Sequence, residues 1–74
     1  MLTTEEKLNH NKRVIGNIVT AIIESNLADP FRMITDPNYA SDNILMYLKS
    51  ANIAREMMHM PKLVLYTIKD VDEE

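Results

Sequence analysis

Segment 41–60 (SDNILMYLKSANIAREMMHM) reads as a helix with more apolar surface than one face can hold. At helical spacing, Ile44, Tyr47, Leu48, Ala51, Ala54 and Met58 fall on one stripe, while Leu45, Met46, Ile53, Met57 and Met60 fall largely outside it. A chain of 74 residues with one other long helix lacks the apolar material to cover both sets. A helix that is apolar on more than one side is a buried helix, so a second molecule is expected to supply the cover, in the first instance another copy of this chain. The other ways of stabilising so small a domain are closed. Cysteine is absent, which removes disulfides and thiolate metal sites, and the two histidines, His10 and His59, lie far apart in sequence. No metal or cofactor is expected.

The rest of the chain supports an all-α fold: an antiparallel helical hairpin of two long helices and one short connecting turn, with a C-terminal extended arm, assembling as a homo-oligomer. Residues 1–74 form a single small helical domain. Thr3 and Glu6 make a capping box that starts helix one, expected over 3–27. Leu8, Asn11, Ile15, Ile18 and Ile22 form a short heptad-like seam in it, where a lone Asn can fix register. Gly16 in mid-helix is either tolerated at a cost of roughly 1 kcal/mol or needed for the close approach of another group. The dipeptides Asp29-Pro30 and Asp36-Pro37 each read as an N-cap followed by proline at the first helical position. They start a short helix over 30–34 and helix two over 37–60, which Pro61 should end. Residues 62–71 (KLVLYTIKDV) are rich in branched and aromatic residues and read as a strand or extended arm in slight preference to a helix. A lone strand would need a counterpart in another subunit. Residues 72–74 are an acidic tail.

The formal net charge of −3 argues against a surface that coats DNA or RNA duplexes. No apolar run approaches the roughly 20 residues of a membrane span. The N-terminal MLTTEEKLNHNKR is charged and polar, unlike a signal peptide, and a cytoplasmic protein is expected. There is no phosphate-cradling glycine loop and no arrangement of nucleophile, base and acid, so the expectation is a protein without enzymatic activity.

Two polar groups are the candidates for ligand binding. In helix one, Asn11, Lys12 and Arg13 sit together; the cations either form a solvated face or meet a phosphate or other anion. In helix two, Asn52, Arg55 and His59 share a polar stripe with Glu56 and either converge on a small polar ligand or form an ordinary charged surface. The candidates for an oligomer interface are Ile15, Ile18 and Ile22 on helix one and Ala51, Ala54 and Met58 on helix two. Ala51 and Ala54, with Ser50, form a small-residue patch where two copies of the helix could cross.

The residues Leu2, Thr3, Glu5, Glu6, Asn11 and Lys12 or Arg13, then Asp36, Pro37 and Tyr39, then Ala51, Ala54 and Pro61 form a pattern. Across residues 2–61 it resembles the small helical phage proteins that sequester cyclic nucleotide immune signals, the anti-CBASS cyclic-oligonucleotide sponges. The chain departs from that family in lacking an additional N-terminal segment with a tyrosine and in carrying the 62–71 arm. The resemblance implies a non-enzymatic homo-oligomer that holds cyclic di- or trinucleotides between subunits, with Lys12 or Arg13 on the phosphates. Arg55 is a candidate on chemistry alone. Two functions follow. One is a homo-oligomer that sequesters a small anionic ligand at subunit interfaces. The other is a protein–protein interaction module, an inhibitor or antitoxin-like regulator, docking on a host protein through helix two or the arm.

Overall fold

The computed structural model describes residues 2–72 of the chain. It is helical, with no strand among the described residues. In chain order the helices are α1 (Thr4–Glu24), α2 (Pro30–Thr35), α3 (Pro37–Met57) and α4 (Ile68–Asp72).

Local chemistry sets each helix boundary. Thr3 caps α1: its side chain accepts from the Glu6 N–H at 3.1 Å, and the Glu6 carboxylate accepts from the Thr3 N–H at 3.1 Å. At the far end Asn26 adopts a left-handed backbone, φ 55°. Leu27 N–H then reaches back to the Ile22 carbonyl and Asn26 N–H to that of Ile23, a Schellman closure. Helix one therefore stops at Glu24, short of the 27 expected. Both Asp-Pro dipeptides start helices: Asp29 accepts from Phe31 N–H at 2.9 Å and Asp36 from Tyr39 N–H at 3.1 Å. Asp36 closes α2 and opens α3 at one residue, so the short helix runs to Thr35. The Tyr39 N–H bond holds the Asp36 carboxyl below its ordinary pKa, with a further contribution from Arg32. Arg32 also lies 3.9 Å over the Tyr39 ring, and the Tyr39 hydroxyl accepts from Asp29 N–H at 3.0 Å, which ties the corner together.

The end of α3 corrects the expected boundary of 60. Pro61 does not terminate the helix; the turn through His59 does, and α3 ends at Met57, three residues short of 60. His59 takes φ 57°, and Met60 N–H bonds the Arg55 carbonyl at 2.8 Å while His59 N–H bonds that of Glu56. This is the closure seen at the end of α1, and a left-handed residue cannot continue an α-helix.

α1 and α3 pack against each other around Val14, Ile18 and Ile22. Ile44, Tyr47 and Leu48 from α3, Ala28 and Met33 from the connection, and Leu65 from the C-terminal segment complete the cluster. The molecule measures 37 × 32 × 16 Å, a slab so thin that only those three apolar side chains are buried among the described residues. Gly16 lies on the exposed side of α1, and a Cβ there would meet nothing within 4 Å, so no contact inside the chain requires glycine. No helix among the described residues is long and apolar enough to cross a membrane.

Of the strand or extended arm expected over 62–71, the first part is an arm without strand pairing and the last part is helical. Residues 58–67 run without regular structure across α3 and α1, and Ile68–Asp72 turns into α4. Thr67 and Asp70 cap that turn reciprocally, the Asp70 carboxylate accepting from Thr67 N–H at 3.0 Å and Thr67 Oγ1 accepting from Asp70 N–H at 3.2 Å. The same Thr67 contacts lower the Asp70 pKa, with Lys7 adding to the effect. Asp72 closes α4, and the remainder of the expected acidic tail, residues 73 and 74, lies outside the described residues.

Ile22, 1 % exposed, is the most enclosed side chain. With so few buried groups, Ile22→Ala should lower stability by about 2–5 kcal/mol and abolish the cooperative thermal transition followed by circular dichroism.

Candidate functional site

An extended segment carries a peptide donor and acceptor at every residue and must place them. Here they go to side chains of α1 and α3. Asn52 on α3 pairs with Leu63 at both ends of its amide: its Nδ2 donates to the Leu63 carbonyl at 3.0 Å and its Oδ1 accepts from the Leu63 N–H at 2.7 Å. Asn11 on α1 does the same to Tyr66, at 2.9 and 2.8 Å. Each asparagine presents to the segment what a neighbouring strand would present.

Other side chains extend the clasp in register. Arg55 donates to the Pro61 carbonyl at 3.0 Å. His10 Nε2 lies 2.7 Å from the Val64 carbonyl, so that nitrogen carries the proton, and its ring meets Tyr66 edge-on at 5.3 Å. At the start of α1, Lys7 Nζ donates to the Asp70 carbonyl at 2.6 Å and Thr4 Oγ1 to that of Val71 at 2.9 Å. Leu65 is carried inward onto the core between the two asparagine anchors.

The six residues expected to bind a ligand are thus separated into three groups. Asn11, Asn52 and Arg55 hold the chain's own arm. His59 ends α3 through its backbone conformation and has left the stripe of Asn52 and Arg55. Lys12 and Arg13 are exposed and line an open depression of about 610 Å³ with Leu2, Glu6, Asn9 and His10. Two cations, a histidine and an amide on one concave surface can meet an anion, but the helix-two residues are not part of it.

The expected interface residues divide likewise. Ile18 and Ile22 are enclosed in the chain's own core, because the seam of α1 faces α3 of the same molecule. Ile15 remains partly exposed and Met58 largely so. Ala51 is half-buried and Ala54 is exposed, so the small-residue patch does not lie on one outward face; Ser50 and Ala54 are its outward members. The surplus apolar residues of helix two stay uncovered: Leu45, Met46, Ile53, Met57 and Met60 are all exposed in the single chain.

Two features were missed in the sequence. Thr4 and Lys7 serve as anchors for α4, a role with no local signature because the partners are 67 and 63 residues away. Asn43, Met46, Ser50, Ile53 and Met57 alternate in steps of three and four along the outer face of α3, a spacing that was legible as a second heptad seam. No group of three or more metal-ligating side chains is found among the described residues.

No family model matches the chain, and neither the curated proteins nor the solved structures contain a significant match to it.

If the asparagines hold the arm as described, Asn52→Ala leaves the Leu63 amide without its partner, and Asn11→Ala does the same at Tyr66. Each should cost about 1–3 kcal/mol. Amide hydrogen exchange by NMR should show faster exchange at Leu63 in the first variant and at Tyr66 in the second, with the Ile18 and Ile22 amides much less affected.

Proposed function

We propose that this protein is a non-enzymatic helical binding module that works as a homo-oligomer, with α1 and α3 as the two legs of a helical hairpin. The observation that carries this reading is the imbalance of apolar surface. The chain encloses three apolar side chains, yet leaves Phe31, Ile34, Met46, Met57 and Ile68 more than two-thirds exposed. Exposed apolar area of this extent marks an interaction surface, and a domain of this size gains most from covering it. The inward sides of α1 and α3 are occupied by the core and by the arm, so association uses the outward side of α3. A host protein docked there is the competing occupant. The arm is the weaker docking element, because the peptide groups of Leu63 and Tyr66 are already paired with Asn52 and Asn11.

Multi-angle light scattering at micromolar concentration should give at least a dimeric mass. A monomeric mass across the range from low micromolar to hundreds of micromolar would sink this reading.

Sequestration of a small anionic ligand is the second reading, favoured by the Lys12–Arg13 depression and by the likeness to the cyclic-oligonucleotide sponges. In it Lys12 and Arg13 meet the phosphates and His10 and Asn9 meet polar edges. A thermal-shift panel of cyclic di- and trinucleotides should then raise the melting temperature, and Lys12→Ala with Arg13→Ala should remove the shift. Absence of any shift at concentrations well above micromolar would retire the ligand while leaving the oligomer standing.

A further inference from the structure

Resting on self-association as just argued, we propose that two copies of the chain pair through α3 in antiparallel register, with Met57 of each copy seated in a preformed hollow on the other. The outer face of α3 carries Met46, Ser50, Ile53 and Met57 in steps of four, three and four, the spacing of a two-stranded coiled-coil seam. Met46 is 67 %, Ile53 54 % and Met57 78 % exposed.

Beside the seam lies a hollow of about 220 Å³, mostly apolar, lined on α3 by Asn43, Met46, Tyr47 and Ser50 and floored by Ile22 and Leu27. Those four α3 residues stand at i, i+3, i+4 and i+7. That is the four-residue hole into which a facing helix inserts a knob. Ser50 contributes a small side chain to the hollow, and Ile22 and Leu27, on either side of the α1 end at Glu24, contribute its apolar floor.

Antiparallel pairing centred between residues 51 and 52 places Met57 of each copy over this hole. The same register sets Ile53 opposite the small Ser50, and Ala54 beside Tyr47. Bulk meets space where Ile53 faces Ser50 and Tyr47 lies beside Ala54; at the remaining level Met57 faces Met46 at the edge of the hollow, and methionine is the side chain best able to fit an irregular hollow.

Charge selects the same register. Asp42, Lys49 and Glu56 are spaced by seven along one flank of the seam. Antiparallel pairing about that centre brings Lys49 of each copy beside Glu56 of the other, giving two symmetric ion pairs. Parallel pairing sets this flank against Tyr47 and Ala54 and offers the charges no partner. Within the chain, no ion pair of Lys49 is found among the described residues, and Glu56 meets only the exposed Lys62 at 3.5 Å. The symmetry is that of a closed two-fold dimer, in which one patch serves both subunits.

The chain has no cysteine, so single thiols report the register directly. M46C and M57C, each alone, should give little disulfide dimer under mild oxidation. Like positions are separated by about 16 Å along the pair at ~1.5 Å per residue. An equimolar mixture of M46C and M57C should cross-link efficiently into the mixed dimer. Efficient cross-linking of either variant alone would establish a parallel or different pairing and overturn the proposal. A dimeric mass for the unmodified chain without mixed cross-linking would overturn the register while leaving self-association intact; a monomeric mass would overturn both. As a check that keeps the seam intact, K49E and E56K should each weaken the dimer about tenfold, and the double exchange K49E/E56K should restore it. Failure of the exchange to restore affinity would likewise refute the pairing.

Discussion

A lone extended segment cannot satisfy its own peptide groups, and this chain contains no strand to lie beside it among the described residues. Asn11 and Asn52 solve that problem. Each carboxamide can present an N–H donor and its carbonyl acceptor side by side, so each can pair with both groups of one arm residue. The rest of the inward structure depends on this pairing. With Leu63 and Tyr66 pinned, Leu65 is driven onto the α1–α3 core. The arm then arrives at the start of α1, where Lys7 and Thr4 receive the carbonyls of α4. The side chains that bind the arm come from both long helices, so the arm also fastens the helices to one another. Net contributions of about 0.5–1.5 kcal/mol per hydrogen bond are substantial beside a core of three enclosed side chains.

That small core explains the outward face. The helices and a covering arm give a slab in which α3 packs against α1 and α2 and leaves a row of apolar residues exposed. The side facing α1 takes Ile44, Tyr47 and Leu48, and with them the bonds from Asn52 and Arg55. The opposite side keeps Met46, Ile53 and Met57 in water. Exposed apolar residues scattered singly mean little. Aligned at seam spacing and next to a hollow, they are the observation from which the pairing of two α3 helices is proposed.

Much of this was legible in the sequence, and what was not failed for identifiable reasons. Local signals carried their information: the Thr3–Glu6 box and the two Asp-Pro caps depend on residues within three positions of each other, and each starts a helix. The excess of apolar residues on helix two was also legible, since it follows from counting around one helix. Helix ends were less so. His59 and Asn26 adopt left-handed backbones; both residue types are enriched in that region, yet positive φ is uncommon for any non-glycine residue, so neither marks a helix end by itself. The polar residues misled for a different reason. Asn11 in an apolar seam and Asn52 on a polar stripe invite a ligand, but their partner is a peptide more than ten residues distant in both cases. Periodicity says which residues share a face; it does not say what lies across from them. The strand reading of 62–71 failed because β-type composition reports a half-buried extended chain, and side chains of two helices can supply what a sheet normally does.

The same division of α3 weighs on the two functional readings. An anion needs cations that are not otherwise engaged. Arg55 is held by the Pro61 carbonyl, and Lys49 is exposed on the flank of the seam. Lys12 and Arg13 are the candidate cations that line a depression together, and they share it with Glu6. That carboxylate is already bound to the Thr3 N–H, but it still offsets one positive charge. A ligand with several phosphates would therefore meet little net attraction on one subunit and would need a second subunit to contribute. Sequestration at subunit interfaces thus presupposes assembly, whereas assembly through α3 requires no ligand. In the reading proposed above, self-association therefore comes first, and small-molecule binding would be a function of the assembled form.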